Sequence, residues 1–452
     1  MKKDIVIIGA GTSGTAAACL LAQKGYQVTL VERRDRENSG ACWVNDIPPW
    51  MFEKAGIALP EAPEKRIDFS PFVMRTEKGK GRIFLENRPM WGIDIRLLVK
   101  RLHQTAEELG VTLIDQCQIT DVVIHNDRPT QIQLKRNDFI GKSQQISCSA
   151  SLFVDASGVS QFLLRKVPAL DNLCPKLPSR SYIHAAQGVY EIKDRIGAKY
   201  YLESLKELPG TFICFPAING GYSTLMVRID PDFDHVELLT GVVNDGYHGT
   251  GETCIQSFKK AQSWVGERIF GGSGRIPLNK PYRQFVSPGI AVIGDAACQV
   301  FPAHGSGVGS GMLAARMLSD AVVLNDDPGA MDALWHYQTT FQKDRGMIHA
   351  LYHVFAQMVQ SMPEKDVQAL VEKGMLTKSN VLSSLNQQLP NPDAQSLVSM
   401  IAGSAFSPLI TMKILTQLPK FTAVPLLYAF YPNQPDGLMN QSWNFLHSVI
   451  HR

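Results

Sequence analysis

The chain has 452 residues and eight cysteines, at positions 19, 42, 117, 148, 174, 214, 254 and 298, and no two of them form a CxxC pair. That spacing argues against a zinc site or a redox dithiol, and scattered cysteines in a chain of this length are expected to be reduced thiols. A resident metal is therefore not expected. Long hydrophobic runs are missing as well. The longest apolar stretch, Phe421 to Tyr431, falls far short of the roughly 20 residues a membrane span needs. The run Ile5 to Ile8 is too short for the core of a secretory signal, so a cytoplasmic location is expected. Nor is there an excess of one charge. The formal net charge is +3 and no basic run interleaves with aromatics, so the overall balance gives no electrostatic case for nucleic acid or an anionic membrane. Internal repeats and low-complexity tracts are absent too.

What remains is an ordinary globular composition, 44% hydrophobic and 19% charged, long enough for two or three domains. Asp4 to Ile8 reads as a buried strand: short, β-branched and bounded by glycine. Thr12 to Lys24, rich in Ala and Leu, reads as a helix with Gly25 as its cap, and Gln27 to Val31 as a second strand. This is the β-α-β opening of a doubly wound sheet. Residues Asp35 to Gly81 lack clear periodicity and read as an excursion that lines a substrate site. A helix is expected over Arg96 to Leu109. Strands are expected over Val111 to Ile114, Ile132 to Leu134 and Ile146 to Val154, the last running into Asp155-Ala156-Ser157-Gly158. Residues 180 to 280 alternate apolar and polar positions, as an antiparallel sheet does. Ile290 to Ile293 is a further buried strand, followed by a glycine-rich stretch and a helix over Met312 to Leu324. Beyond residue 330 the pattern is helical, and Val398 to Tyr431, with Met400 and Met412, is apolar. The expected fold is α/β: a Rossmann-type unit (1–180 and 281–330), an inserted antiparallel-sheet substrate unit (181–280) and a helical C-terminal region (331–452).

Three motifs carry chemistry. Gly9-Ala10-Gly11-Thr12-Ser13-Gly14 follows a strand and opens a helix. Glycines there allow a tight turn, close approach of a pyrophosphate and helix-on-strand packing, and the helix N-terminus offers free N–H groups to phosphates. Glu32, at the tip of the second strand, can accept both hydroxyl protons of a ribose. Later, Ile293-Gly294-Asp295-Ala296-Ala297-Cys298 runs on to Phe301-Pro302-Ala303-His304-Gly305-Ser306-Gly307-Val308-Gly309. Asp295, just past a buried strand, can bind the hydroxyls of a polyol. The glycine run can start a helix aimed at a ligand that gains negative charge. Between the two lies Asp155-Ala156-Ser157-Gly158, which on its own terms is a turn.

In this order and spacing the three motifs resemble the flavoproteins that include group A aromatic hydroxylases, geranylgeranyl reductases and flavin-dependent halogenases. The resemblance covers about residues 1–325 and implies FAD as cofactor. It places Gly9, Gly11, Ser13, Gly14 and Glu32 at the adenosine and pyrophosphate, Asp295 at the ribityl chain, and Gly305, Gly307 and Val308 beside the isoalloxazine. Family members carry an Arg against the FAD phosphates near residue 96; Arg96 is the match, offset by about one position. The halogenase Trp-x-Trp-x-Ile-Pro corresponds here to Thr211-Phe212-Ile213-Cys214-Phe215-Pro216, which lacks both tryptophans. Lys78 and Lys80 are the nearest lysines to the halogenase lysine but fall in a polar loop, so halogenation is disfavoured. Geranylgeranyl reductases carry an aromatic-rich version ending Phe-Pro, of which Phe215-Pro216 survives. No second GxGxxG follows residue 130, so electrons would come from NAD(P)H docking transiently or from a reductase partner.

Two residues stand as catalytic candidates. Cys42 lies where reductases of this superfamily carry a glycine-and-cysteine loop close to the flavin, although a packed cysteine is commoner. His304 lies inside the second glycine loop, where it could shuttle a proton or stand as a solvent-exposed loop histidine. His184, Tyr222 and Arg228 fall on expected strands and carry little weight. Trp43, Trp50, Phe52 and Trp91 are candidates for lining a pocket for an aromatic or hydrophobic substrate. The expected activity is a monooxygenase that hydroxylates an aromatic or indole-type substrate through a flavin C4a-hydroperoxide. A named subgroup acts on a tryptophan of a partner protein during maturation of peptide-derived quinone cofactors. Two readings stay open beside it: reduction of an isoprenoid-like substrate, and a flavin-bearing maturation partner that acts by binding another protein through its C-terminal region.

Overall fold

Strand Ile5–Ile8 is buried along its whole length, as a strand covered on both sides must be. It pairs in parallel with Val28–Val31 on one side and Leu152–Asp155 on the other. Thr112–Ile114 extends the sheet beyond Val28–Val31, and Ile290–Val292 extends it beyond Leu152–Asp155 in the same direction. Val286–Ser287 closes that edge antiparallel, giving six strands. The computed structural model in which this is seen describes residues 4–76, 80–137, 143–218, 223–391, 395, 398–399, 402–403 and 408–450. Lys78, Tyr222 and Met400 lie outside the described residues.

Helix Thr12–Gln23 packs against helices Val308–Val322 and Ile95–Glu108. Its Gly14, Ala16, Ala17 and Ala18 are buried, and the small residues Gly309, Ser310, Gly311, Ala314 and Ala315 of Val308–Val322 are buried too. Small side chains let helix axes approach closely.

The second large sheet has seven strands and mostly antiparallel pairing. Five come from residues 182–277: Tyr182–Ile192, Phe212–Pro216, Ser223–Ile229, His235–Val243 and Val265–Pro277. The other two, Phe72–Arg75 and Arg82–Leu85, come from the early excursion, and Phe72–Arg75 pairs in parallel with Phe212–Pro216. The excursion thus contains regular structure that its pattern does not announce. It also supplies Val44–Ile47 and Lys65–Ile67, which flank Trp91–Asp94 in a small antiparallel sheet. The span Ile146 to Val154 divides between two sheets, Ser143–Ser149 in a three-stranded ribbon and Leu152–Asp155 in the parallel sheet.

One face of the seven-stranded sheet is covered by helices Arg195–Leu205 and Gly251–Ala261 through Ala198, Leu202 and Ile255, joined by Trp264 just before the last strand. The opposite face looks toward the parallel sheet and the C-terminal helices, where Phe72, Phe212 and Cys214 meet Val371 and Val381. Among the described residues, no helix is long and apolar enough to cross a membrane.

Gly14 shows how tightly the first loop is built. A Cβ there would stand 1.9 Å from Gly9 O and 3.0 Å from Ala156 Cβ. Gly14→Ala is expected to destabilise the flavin-free protein by about 2 kcal/mol or more, because the backbone oxygen it meets cannot turn aside. A denaturant titration with an unchanged midpoint would contradict this packing.

Candidate functional site

The two glycine loops meet. Gly9 turns the chain at φ +103°, and a Cβ on it would lie 2.3 Å from Ala156 O, so the first loop is pressed onto the Asp155-Ala156-Ser157 turn. That turn is structural: Asp155 Oδ1 accepts from Ser157 N and Oγ at 2.9 and 2.6 Å, and Oδ2 accepts from Leu164 N at 2.7 Å. Ser13 is the point of contact with the second loop. Its Oγ would be 2.8 Å from a Cβ on Gly294 and 2.0 Å from one on Gly311. Ser13 therefore joins the loops by packing between them.

Gly11 is different. Its φ is −75°, and the nearest atom to a Cβ there is Gly40 Cα at 3.6 Å. Nothing in the protein requires a glycine at this position. Gly11 also precedes the first turn of helix Thr12–Gln23 with no side-chain cap. Open space in front of uncapped N–H groups is what a pyrophosphate needs. Glu32 is buried, and its carboxylate accepts from Ala10 N and Arg34 N, each at 2.9 Å. These bonds hold it at the lip of the loop with lone pairs left over for ribose hydroxyls.

Asp295 has no hydrogen-bond or ion-pair partner for its carboxylate among the described residues, and burial pushes its acid up to about 6. A Cβ on Gly307 would stand 2.8 Å from Asp295 Oδ1, so the glycine keeps the space before the carboxylate clear. An unpartnered carboxylate facing open space fits a polyol whose hydroxyls donate to it. Gly307 and Val308 are half-buried at the start of helix Val308–Val322, whose N-terminus also lacks a side-chain cap, and Gly305 is buried at φ +72°. The donor set and the two cleared spaces therefore fit FAD.

The remaining candidates are placed as follows. Arg96 gives Nε and Nη2 to Asp94 at 3.0 and 2.6 Å and lies 3.7 Å over the Phe270 ring. As arranged, its paired donors serve Asp94, the residue that caps its own helix, and a contact with a phosphate would need them to turn away from it. Cys42 is exposed, and its thiol donates to Gly271 O at 3.4 Å. His304 is not a solvent-exposed histidine. Its Nε2 faces Ser384 O at 3.2 Å, its ring leans on Phe301 at 4.8 Å, and burial lowers its pKa to about 4. It is neutral at pH 7, and the geometry makes it a positioning residue that ties the second loop to helix Lys378–Leu385. Trp43 is drawn to the same wall as Cys42, against Gly274, while the Trp50 indole donates to Asn386 Oδ1 at 3.1 Å.

Two features escaped the motifs. Gly271, Gly272 and Gly274 lie within strand Val265–Pro277: Gly271 lets the backbone of Gln187 and Gly188 come close, while Gly272 and Gly274 make room for the Cys42–Trp43 loop, a Cβ on Gly272 lying 2.5 Å from Cys42 Sγ. The signal was a cluster of glycines inside a strand, which marks close approach of another backbone. The second is a buried charged group behind strand Val44–Ile47. Arg88 pairs with Asp46 at 2.5 Å and lies 3.5 Å over Phe212, and burial pushes the Glu237 carboxyl up to about 7 with Arg228 at 3.8 Å. Asp46 and Glu237 line one void of about 20 Å³. Their positions on separate strands leave no local pattern to read.

The fold and the two converging loops define a doubly wound flavin-binding oxidoreductase. A model of the family described as FAD dependent oxidoreductase matches residues 4–165. The chain is 22% identical to the digeranylgeranylglycerophospholipid reductase of Sulfolobus acidocaldarius, over 97% of this chain and 95% of that protein. Among solved structures it is similar to a geranylgeranyl bacteriochlorophyll reductase-like protein of Thermoplasma acidophilum (TM-score 0.72, 14% identity, 92% of this chain and 99% of that one). It is also similar to the flavin-dependent brominase Bmp2 (TM-score 0.61, 18% identity, 90% and 100%). The chain is thus an FAD-dependent oxidoreductase, similar over nearly its whole length to a geranylgeranyl-lipid reductase and alike in fold to a flavin-dependent brominase.

Two substitutions separate binding from folding. Gly11→Ala is expected to leave the flavin-free melting temperature within about 2 °C of the parent while weakening FAD binding more than about tenfold. A flavin titration followed by fluorescence quenching reads the second quantity directly. For Asp295 the folded acid, at about 6, lies above its ordinary value of 3.8. Its ionisation therefore costs the flavin-free protein stability as pH rises through 6. Asp295→Asn removes that cost and should raise flavin-free stability at pH 8 by about 1–2 kcal/mol, yet weaken FAD binding. A variant that is both less stable at pH 8 and unchanged in affinity would refute the assignment.

Proposed function

We propose that this flavoprotein is a reductase that saturates a carbon–carbon double bond in an apolar, isoprenoid-like chain. The observation that carries this reading is the wall beside the second glycine loop. A Cβ on Gly305 would meet Ile183 Cδ1 at 3.1 Å and Ile276 Cγ2 at 3.7 Å. Ile183 and Ile276 continue into Leu278 and Ala356 as one apolar cluster between the sheet and helix Met347–Gln360. Such a wall suits a hydrocarbon chain and offers nothing to grip a polar one. The likeness over nearly the whole chain to a digeranylgeranylglycerophospholipid reductase supports the same reading.

When bound, FAD supplies two-electron reducing chemistry at its isoalloxazine. Glu32 and Asp295 bind the cofactor by accepting hydroxyl protons. The N-terminus of helix Val308–Val322 favours the negative charge that a reduced ring carries at its pyrimidine edge. Ile183 and Leu278 are buried and keep water from that side of the loop, and half-buried Ile276 is the member of the cluster left to meet the substrate chain. Saturation of a double bond also needs a proton, and the Cys42 Sγ–H, exposed at the rim, is the group assigned to give it. NAD(P)H or a reductase partner would supply the electrons.

The test is anaerobic. Enzyme reduced with dithionite and mixed with geranylgeraniol should be reoxidised and yield product heavier by two hydrogens per bond. Cys42→Ala should slow this by about a hundredfold with FAD content unchanged. A strict requirement for O₂, with oxygen entering an aromatic compound or a tryptophan of a partner protein, would replace reduction by the oxygenase chemistry. A stable complex with one protein and no turnover of any small molecule would favour the maturation-partner reading.

A further inference from the structure

The chain ends in two helices, Pro408–Ala429 and Leu438–Ile450. Their inner sides close on each other: the Trp443 indole donates to Leu427 O at 2.8 Å, and Tyr428 meets Trp443 edge-on at 5.7 Å. Their outer sides cover nothing described. On the first helix Leu409, Met412, Leu415 and Leu426 recur at helical spacing, and Phe430 follows at its end. Leu438, Phe445 and Val449 repeat the pattern on the second. Exposure is high throughout, at 81% for Leu409 and Leu438, 73% for Phe430 and 67% for Phe445. A monomer in water rarely leaves so many large apolar side chains together on one element.

Local charge says what covers them. Over the hairpin, Pro408 to Ile450, the sequence holds Lys413 and Lys420 against one acid, Asp436 in the turn, and neither helix carries an acidic residue. Both lysines line a pocket of about 290 Å³ between the first helix and Met347–Gln360, with Gln357 and Gln417. Lys413 is paired with Asp366 at 2.8 Å. Lys420 has no acidic partner among the described residues, and neither has Lys280, which lies near enough to feel its charge and is held down to about 8 by burial. A second copy of the chain would meet this face by two-fold symmetry, bringing together two helix faces that each carry lysine and no acid of their own. A surface of anionic lipid supplies both missing partners, hydrocarbon and negative charge.

We propose that the C-terminal helical hairpin docks on an anionic lipid bilayer, its exposed leucines and phenylalanines entering the acyl boundary and a headgroup phosphate meeting Lys420 at the mouth of the pocket. The hairpin rests on the bilayer rather than spanning it, since no described helix is long and apolar enough to cross. The proposal does not depend on which substrate the flavin reduces.

The test is flotation of the FAD-loaded full chain with vesicles of phosphatidylcholine alone and with about 30% phosphatidylglycerol added. Binding is expected to the anionic vesicles and to weaken as salt rises. The exposed pair Leu426→Glu and Phe430→Glu should lower it more than about tenfold with flavin content and melting temperature unchanged. Lys420→Gln should lower it about fivefold on anionic vesicles and not at all on neutral ones. Absence of binding to either vesicle, or binding indifferent to the double substitution, overturns the proposal. So does a concentration-dependent dimer, seen by sedimentation velocity, that the same double substitution dissolves.

Discussion

The close approach of two backbone loops, with Ser13 wedged between Gly294 and Gly311, is the constraint from which the rest of the site follows. Helix Thr12–Gln23 can start where it does only because Gly9 and Gly14 have no side chains to strike Ala156 and each other. That start sets the direction of its free N–H groups. Helix Val308–Val322 can cross it at that distance only because residue 311 is glycine. Its own N-terminus is thereby aimed at the same space from the other side. Two helix N-termini and their partial positive charges thus converge on one volume, which favours an anionic, phosphate-bearing cofactor over any neutral ligand of the same size.

Asp155 and Asp295 illustrate how the same side chain is put to different uses at the ends of neighbouring strands. Asp155 is fully buried and accepts three hydrogen bonds from Ser157 and Leu164, so its polarity is consumed in holding the turn under Gly9. Asp295 follows a strand of the same sheet but receives no donor among the described residues, and desolvation alone raises its acid. A protein gains no stability by burying such a group unpaired. On the proposed function, the missing partner is a hydroxyl of the cofactor.

Legibility in the sequence followed the range of the interactions. The opening unit was readable almost to the residue, Thr12 to Lys24 against the observed Thr12–Gln23, because an apolar run bounded by glycines and an alanine-rich segment are local signals. Glu32 and Asp295 could be singled out as candidates because each stands at the carboxyl end of a strand in a motif with a chemical reason. Strands Phe72–Arg75 and Arg82–Leu85 were not. They are four residues long, and Phe72 acquires its register from Phe212, far along the chain. The Asp46–Arg88–Glu237 group escaped for the same reason, as its members come from three separate strands or loops. Arg96 marks the limit of reading a role from position, because a helix start suits pairing with the capping Asp94 as well as holding a phosphate.

The C-terminal helices are part of the site's support, and this gives the exposed hairpin a mechanical connection to the flavin loops. His304 bonds to Ser384 O, and Ser310 of the flavin-facing helix lies within 3.4 Å of both His349 Nε2 and Gln387 Oε1. Arg345, buried in a π-helical turn, donates to Gln387 O at 3.2 Å. The next residue, Gly346, lies against Tyr428 of the hairpin, where a Cβ would be 3.4 Å from the ring. A single chain of packed and hydrogen-bonded groups therefore runs from the second glycine loop to the inner side of the hairpin. Tyr428 is fully buried there, so the hairpin cannot shift without disturbing Gly346 and the turn that carries Arg345. A surface pressing on the outer side of the hairpin would thus act on a close-packed interior that reaches the helix facing the flavin, whereas a loosely tethered tail would transmit nothing.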